Sequence, residues 1–137
     1  YAPGELKAVG YDNDRPTAEY TLSTHGEAAR VQLLSTRTRL AADGADVAVL
    51  SAQLLDAEGR PVTDADVPVR FDISGEVRNL GVDNGWENNV QPHQTNVVTT
   101  HEGRAALFLQ STRSSGTATI RAVCGDLQSE LLQLKVE

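Results

Sequence analysis

The chain has no methionine and a single cysteine, Cys124, among its 137 residues. One cysteine excludes an internal disulfide and a multi-cysteine zinc site. Methionine is missing even at the first position, where Tyr1-Ala2-Pro3-Gly4 runs at once into a strand-like segment. The natural N-terminus is therefore expected to lie elsewhere, and the lack of a visible signal peptide leaves the compartment, cytoplasmic or exported, open. No apolar run approaches the roughly 20 residues that cross a bilayer, so the reading is a soluble globular chain with no membrane partner. A basic surplus is lacking too: 12 Lys and Arg stand against 19 Asp and Glu, a formal net charge of -7. Arg30, Arg37, Arg39, Arg60, Arg70 and Arg78 are scattered among acids, and the clustered cations that release counterions from nucleic acid are absent.

Helical spacing over a long window is also missing. What is present is alternation of apolar and polar residues, broken by Gly, Asp and Asn turns, and this reads as all-β. Residues 6–11 and 18–22 form two short strands joined by Asp12-Asn13-Asp14-Arg15-Pro16, a hairpin whose turn residues bond their own backbone or fix φ. His25-Gly26-Glu27 breaks the pattern, so a boundary belongs near Gly26. Beyond it, strands are expected at 31–34, 48–55, 67–73, 77–82, 104–110, 117–124 and 131–136. The face carrying Leu50 and Leu54 points inward, as do Val67, Val69, Phe71 and Ile73 and then Leu107, Leu109, Ala118, Ile120, Ala122, Leu132, Leu134 and Val136. Pro68 lacks an N–H and is expected at a sheet edge or a bulge. About seven strands in about 110 residues is the pattern of an immunoglobulin-like β-sandwich. Two strands alone are marginal in water, so the hairpin reads as a piece of another sheet.

The acids carry little chemistry. Asp43 with Asp46, Asp64 with Asp66, and Asp83 sit at turns and read as turn formers, and no catalytic pair, cofactor or metal site is expected from their spacing. His25, His93 and His101 read as surface or loop residues, and Cys124 falls in phase with Ala118, Ile120 and Ala122 as a small core residue. The segment 83–103 has little strand pattern and holds Trp86, the sole tryptophan. An exposed Trp can stack on a sugar ring, with Asn88, Asn89 and Gln91 beside it as hydroxyl partners; the alternative is that Trp86 plugs the sandwich end or meets another domain. Phe108 is out of phase with Leu107 and Leu109, points outward, and is the candidate interdomain contact.

Several stretches carry a family resemblance. Pro3-Gly4-Glu5-Leu6, Ala8-Val9-Gly10-Tyr11-Asp12-Asn13 and Thr24-His25-Gly26-Glu27-Ala28 resemble the end of the immunoglobulin-like domain that follows the catalytic barrel in glycoside hydrolase family 2 enzymes of the β-galactosidase type. His25 stands where that family has a small residue. Ala42-Asp43-Gly44-Ala45-Asp46, the run Leu54 through Val62, Asp64-Ala65-Asp66, Gly81-Val82-Asp83-Asn84-Gly85 and Gly103-Arg104-Ala105 resemble the C-terminal domain of those enzymes, itself similar to the immunoglobulin-like repeats of bacterial invasin-type adhesins. The run Trp86 through Gln94 departs from the family's loop.

The resemblance implies two units, a terminal hairpin with linker at 1–27 and a bacterial immunoglobulin-like sandwich at 28–137. It also implies that the two glutamates which cleave β-galactosides lie on an upstream barrel outside these residues. On that reading the chain is a noncatalytic accessory domain whose partners are the other domains of its parent enzyme. The alternatives are a carbohydrate-binding module that takes a β-galactoside, and a cell-surface adhesin repeat.

Overall fold

The structure, a computed structural model, describes residues 3–137. Tyr1 and Ala2, which open the expected first unit, lie outside the described residues. Strands β1 (Glu5–Asp12) and β2 (Arg15–Ser23) form a two-stranded antiparallel sheet of their own. Its turn is the pair Asn13 and Asp14, with φ of 49° and 59°. Positive φ at both central residues matches the turn to the right-handed twist of the strands, and short polar side chains tolerate it best after glycine. Pairing sets Leu6 opposite Leu22 and Ala8 opposite Tyr20, so these four share a face. That face is bare, with Leu6 71% and Tyr20 65% exposed.

The remaining strands run β3 (Arg30–Ser35), β4 (Arg39–Leu40), β5 (Val47–Leu55), β6 (Pro68–Ser74) and β7 (Val77–Asp83). They continue with β8 (Val97–Thr99), β9 (Arg104–Ser111), β10 (Gly116–Cys124), β11 (Leu127–Gln128) and β12 (Leu132–Val136). One sheet has the order β3-β5-β9-β7, and the other β4-β12-β10-β6-β8 with β11 on the end of β10. The two are stacked face to face, the immunoglobulin-like sandwich that the strand pattern predicts. Between them Leu50, Leu54, Leu107 and Leu109 of one sheet meet Phe71, Ile120 and Leu134 of the other, all fully buried. Each such side chain gains roughly 1.5–3 kcal/mol on burial. Alanines at 48, 52, 105, 118 and 122 fill the interstices without polar atoms. Cys124 joins this cluster, and burial pushes its thiol pKa up, which removes the thiolate needed for reactivity.

All seven expected strands of the second unit are found, together with three that alternation does not mark. β4, β8 and β11 are two or three residues long, too short to display a period of two. β8 falls inside the segment that reads as patternless. Pro68 stands neither on an edge strand nor at a bulge. It is the first residue of β6, which is flanked by β8 and β10, and pairing with β10 begins only at Arg70. No ladder partner is therefore denied an N–H. Val67, Ile73 and Leu132, expected inside, are half-buried against the edge of the core, Leu132 at the first position of β12.

Two chain crossings depend on glycine. Gly103 has φ of 70°, donates to the Ala65 carbonyl at 3.0 Å and accepts from the Leu54 amide at 2.9 Å. A Cβ there would collide with the Val62 carbonyl oxygen. Gly81, at the bulge of β7, has φ of 144° and would bring a Cβ to 2.6 Å from the His93 carbonyl oxygen. Gly103→Ala is expected to lower the unfolding free energy by at least about 2 kcal/mol. Urea titration at neutral pH measures this, and a loss below about 0.5 kcal/mol would contradict the packing described.

Candidate functional site

The features that distinguish this sandwich gather at one end, where the hairpin joins it. After β2 the chain passes through Thr24, whose Oγ1 accepts from the Gly4 amide at 3.0 Å, to His25 and Gly26. The Gly26 amide donates to Asp56 Oδ2 at 2.8 Å. Asp56 is fully buried, and its carboxylate also accepts from the Arg60 amide at 2.8 Å and from Arg60 Nε at 2.7 Å. Burial alone would push the Asp56 pKa up; the amides of Gly26 and Arg60 and the Arg60 guanidinium outweigh it and hold the carboxyl well below the usual range. The turn is closed by Gly59, at φ of 85°, over which the Arg30 side chain lies. Next to it the Thr63 amide donates to His25 Nε2 at 3.2 Å, and His25 Nδ1 lies 2.9 Å from the Gly26 carbonyl. Asp64 Oδ1 is 3.5 Å from the same ring. A groove of about 510 Å³ runs beside this joint between Pro3, Glu27 and Asp64.

The segment after β7 forms a second part of this end. Asp83 Oδ1 accepts from the amides of Asn84 and Gly85 and from Asn89 Nδ2 at 3.1 Å. These bonds, the Gly85 amide first, lower the Asp83 pKa. Asn84 is buried, donates to the Thr99 carbonyl and accepts from the Trp86 amide. Asn89 Oδ1 accepts from Gln91, and Gln91 in turn bonds the backbone of Thr99 in both directions. Two of the expected sugar contacts, Asn89 and Gln91, are thus engaged in shaping their own loop. Asn88 is exposed. Trp86 is 45% exposed and stacks on His101, with ring centroids 5.5 Å apart and planes at 28°. His101 Nδ1 lies 3.9 Å from Asp66.

Phe108 lies elsewhere. It is half-buried on the outer face of the sheet β3-β5-β9-β7, opposite Val49 on β5 and Gly81 on β7. Leu34 on β3 and Leu80 on β7 are exposed large apolar residues of the same sheet, at 54% and 40%. The structure therefore separates Phe108 from the loop residues and brings Trp86 to the hairpin end. Asp56 and His25 are the residues that sequence reasoning passed over: Asp56 stands unremarked in the run Leu54 through Val62, and His25 reads as a surface or loop histidine. Among the described residues no group of three or more His, Cys, Asp or Glu is arranged to hold a metal ion.

The architecture is a two-sheet sandwich with a separate two-stranded hairpin at one end. The chain belongs to the family described as glycoside hydrolase family 2 C-terminal domain 5, whose model matches residues 31–133. It is 27% identical over its whole length to the β-galactosidase BoGH2A of Bacteroides ovatus, of which it spans 16%. It is 33% identical over 123 residues to a β-glucuronidase of Formosa agariphila, of which it spans 12%. A crystal structure of a glycosyl hydrolase family 2 member from Bacteroides cellulosilyticus superposes on the full chain with a TM-score of 0.94 at 28% identity, and the chain covers 18% of it.

Four carboxyls, of which Asp56 alone belongs to the joint, set a pH dependence. Asp43, held by the amides of Ala45 and Asp46, Asp46, held by that of Ala41, and Asp56 and Asp83 all have lowered pKa values. A carboxyl whose folded pKa lies below its unfolded one contributes stability that is complete above the ordinary aspartate value of 3.8 and is lost as pH falls through the folded value. Thermal stability is therefore expected to be level between about pH 7 and pH 5 and to decline below about pH 4. Asp56→Asn, which cannot accept from all three donors, is expected to lower Tm at pH 7 by more than about 5 °C. Scanning calorimetry across pH checks both, and a Tm that rises on acidification would contradict the first.

Proposed function

We propose that this chain is a noncatalytic accessory domain of a glycoside hydrolase family 2 enzyme, orienting and stabilising the other domains of its parent. The observation that carries the reading is the hairpin. It occupies a sheet of its own, presents Leu6, Ala8, Tyr20 and Leu22 uncovered on one face, and is tied to the sandwich by the buried Asp56. Two strands with a bare apolar face complete a sheet supplied by other polypeptide, and the chain's 16% share of BoGH2A leaves most of that relative's length outside the match. The unit boundary falls between residues 27 and 28, and Phe108 with its neighbours is a further contact surface for the parent.

Hydrolysis resides in the parent. Two of the curated relatives are β-galactosidases and one is a β-glucuronidase, which favours a β-galactoside as the parent's substrate and makes a β-glucuronide the second to test. A sugar-binding role for the loop with Trp86, Asn88, Asn89 and Gln91 is the weaker reading. Asn89 and Gln91 would have to surrender their loop bonds to meet a ligand.

The purified 137-residue chain is expected to release no chromophore from either aryl β-glycoside, while the whole polypeptide hydrolyses the β-galactoside faster. Activity of the short chain that survives repurification would overturn the accessory role.

A further inference from the structure

The hairpin and the Trp86 loop lie on the same end of the sandwich, linked by a continuous run of contacts. From the hairpin side, His25 reaches Asp64 at 3.5 Å and the Thr63 amide at 3.2 Å. Two residues on, Asp66 Oδ1 accepts from the Glu102 amide at 3.2 Å and stands 3.9 Å from His101, on which Trp86 stacks. The amides of Gly103 and Thr100 anchor this ridge to the carbonyls of Ala65 and Val67, so its position on the sandwich is fixed by backbone bonds, while the hairpin side reaches it through the His25 ring. We infer that the ridge Asp64, Asp66, His101 and Trp86 is a docking surface for the same domain whose sheet the hairpin completes.

Three observations select that occupant, on the premise of the accessory reading above. First, the chain enters the sandwich at this end, so a body built around β1 and β2 stands next to the ridge by chain connectivity alone. Second, one face of the Trp86 indole is covered by His101 while 45% of the residue remains exposed. A large flat apolar group held against a second ring has little rotamer freedom left to lose, which favours it as an interface anchor. Third, the rim is acidic, with Asp64 and Asp66 exposed and Glu87 and Glu102 in the flanking loops. The surface that meets it carries Lys or Arg around an apolar centre. By contrast, Asn89 and Gln91 turn inward to Asp83 and Thr99, which leaves a sugar few side chains to bind.

Hydroxyl-radical footprinting read by mass spectrometry, on the 137-residue chain and on the whole polypeptide, tests this. The expected result is that Trp86 is labelled at least about five-fold more slowly in the whole polypeptide, together with Leu6, Tyr20 and Leu22, whereas Leu131 changes little. Protection of the hairpin residues with Trp86 unchanged overturns the docking surface and leaves the accessory reading standing. No protection of either overturns both. Protection of Trp86 without the hairpin, or only after galacto-oligosaccharide is added, overturns the inference in favour of a different occupant or a sugar site.

Discussion

The structure depends on one constraint: two sheets, each apolar on one side only, have to cover one another. β5 and β9 supply Leu50, Leu54, Leu107 and Leu109, β6 and β10 supply Phe71 and Ile120, and none of these six retains contact with water. Close packing between the sheets fixes which residues of every strand point in, because a slip of one position would turn the apolar set outward. The sandwich thereby has its own interior and its own stability. The hairpin has neither, since its two strands pair only with each other and both faces are open.

That asymmetry underlies the accessory role proposed for the chain. A self-sufficient sandwich holding an insufficient hairpin has the form of a bracket, and the strength of a bracket is set at its joint. Here the joint is a buried carboxylate satisfied by two amides and a guanidinium. Removing one partner of such a group leaves an uncompensated charge, so breaking the joint is costly. The ridge from Asp64 to Trp86 extends the same end outward. Its place on the sandwich is set by the backbone hydrogen bonds that join residues 65 and 67 to 103 and 100.

Much of this was legible in the residues. The strands β5, β6, β9 and β10 each span at least seven residues, long enough for alternation to separate inner from outer positions, and the placement of Phe108 on an outer face followed from its being flanked by Leu107 and Leu109. The hairpin was legible from its turn formers, but the turn is narrower than Asp12 to Pro16: only Asn13 and Asp14 make it, while Asp12 ends β1 and Arg15 and Pro16 begin β2. The site was less so. Asp56 looks like any acid opening a turn, and its role arises from an amide 30 positions earlier. Trp86 and His101 meet across a loop whose shape is set by Asp83, Asn84 and Gln91 bonding backbone, information that no local period contains. β8 escaped for the related reason that three residues beside long partners acquire strand geometry from the neighbours and not from their own pattern.

The central claim is that the sandwich is held by its own interior while the hairpin relies on polypeptide outside these residues. Amide hydrogen exchange on the isolated chain addresses it most directly. Amides of β5, β9 and β10 should exchange only through global unfolding, and those of β1 and β2 should exchange many orders of magnitude faster. Hairpin protection equal to that of the sandwich would contradict the account.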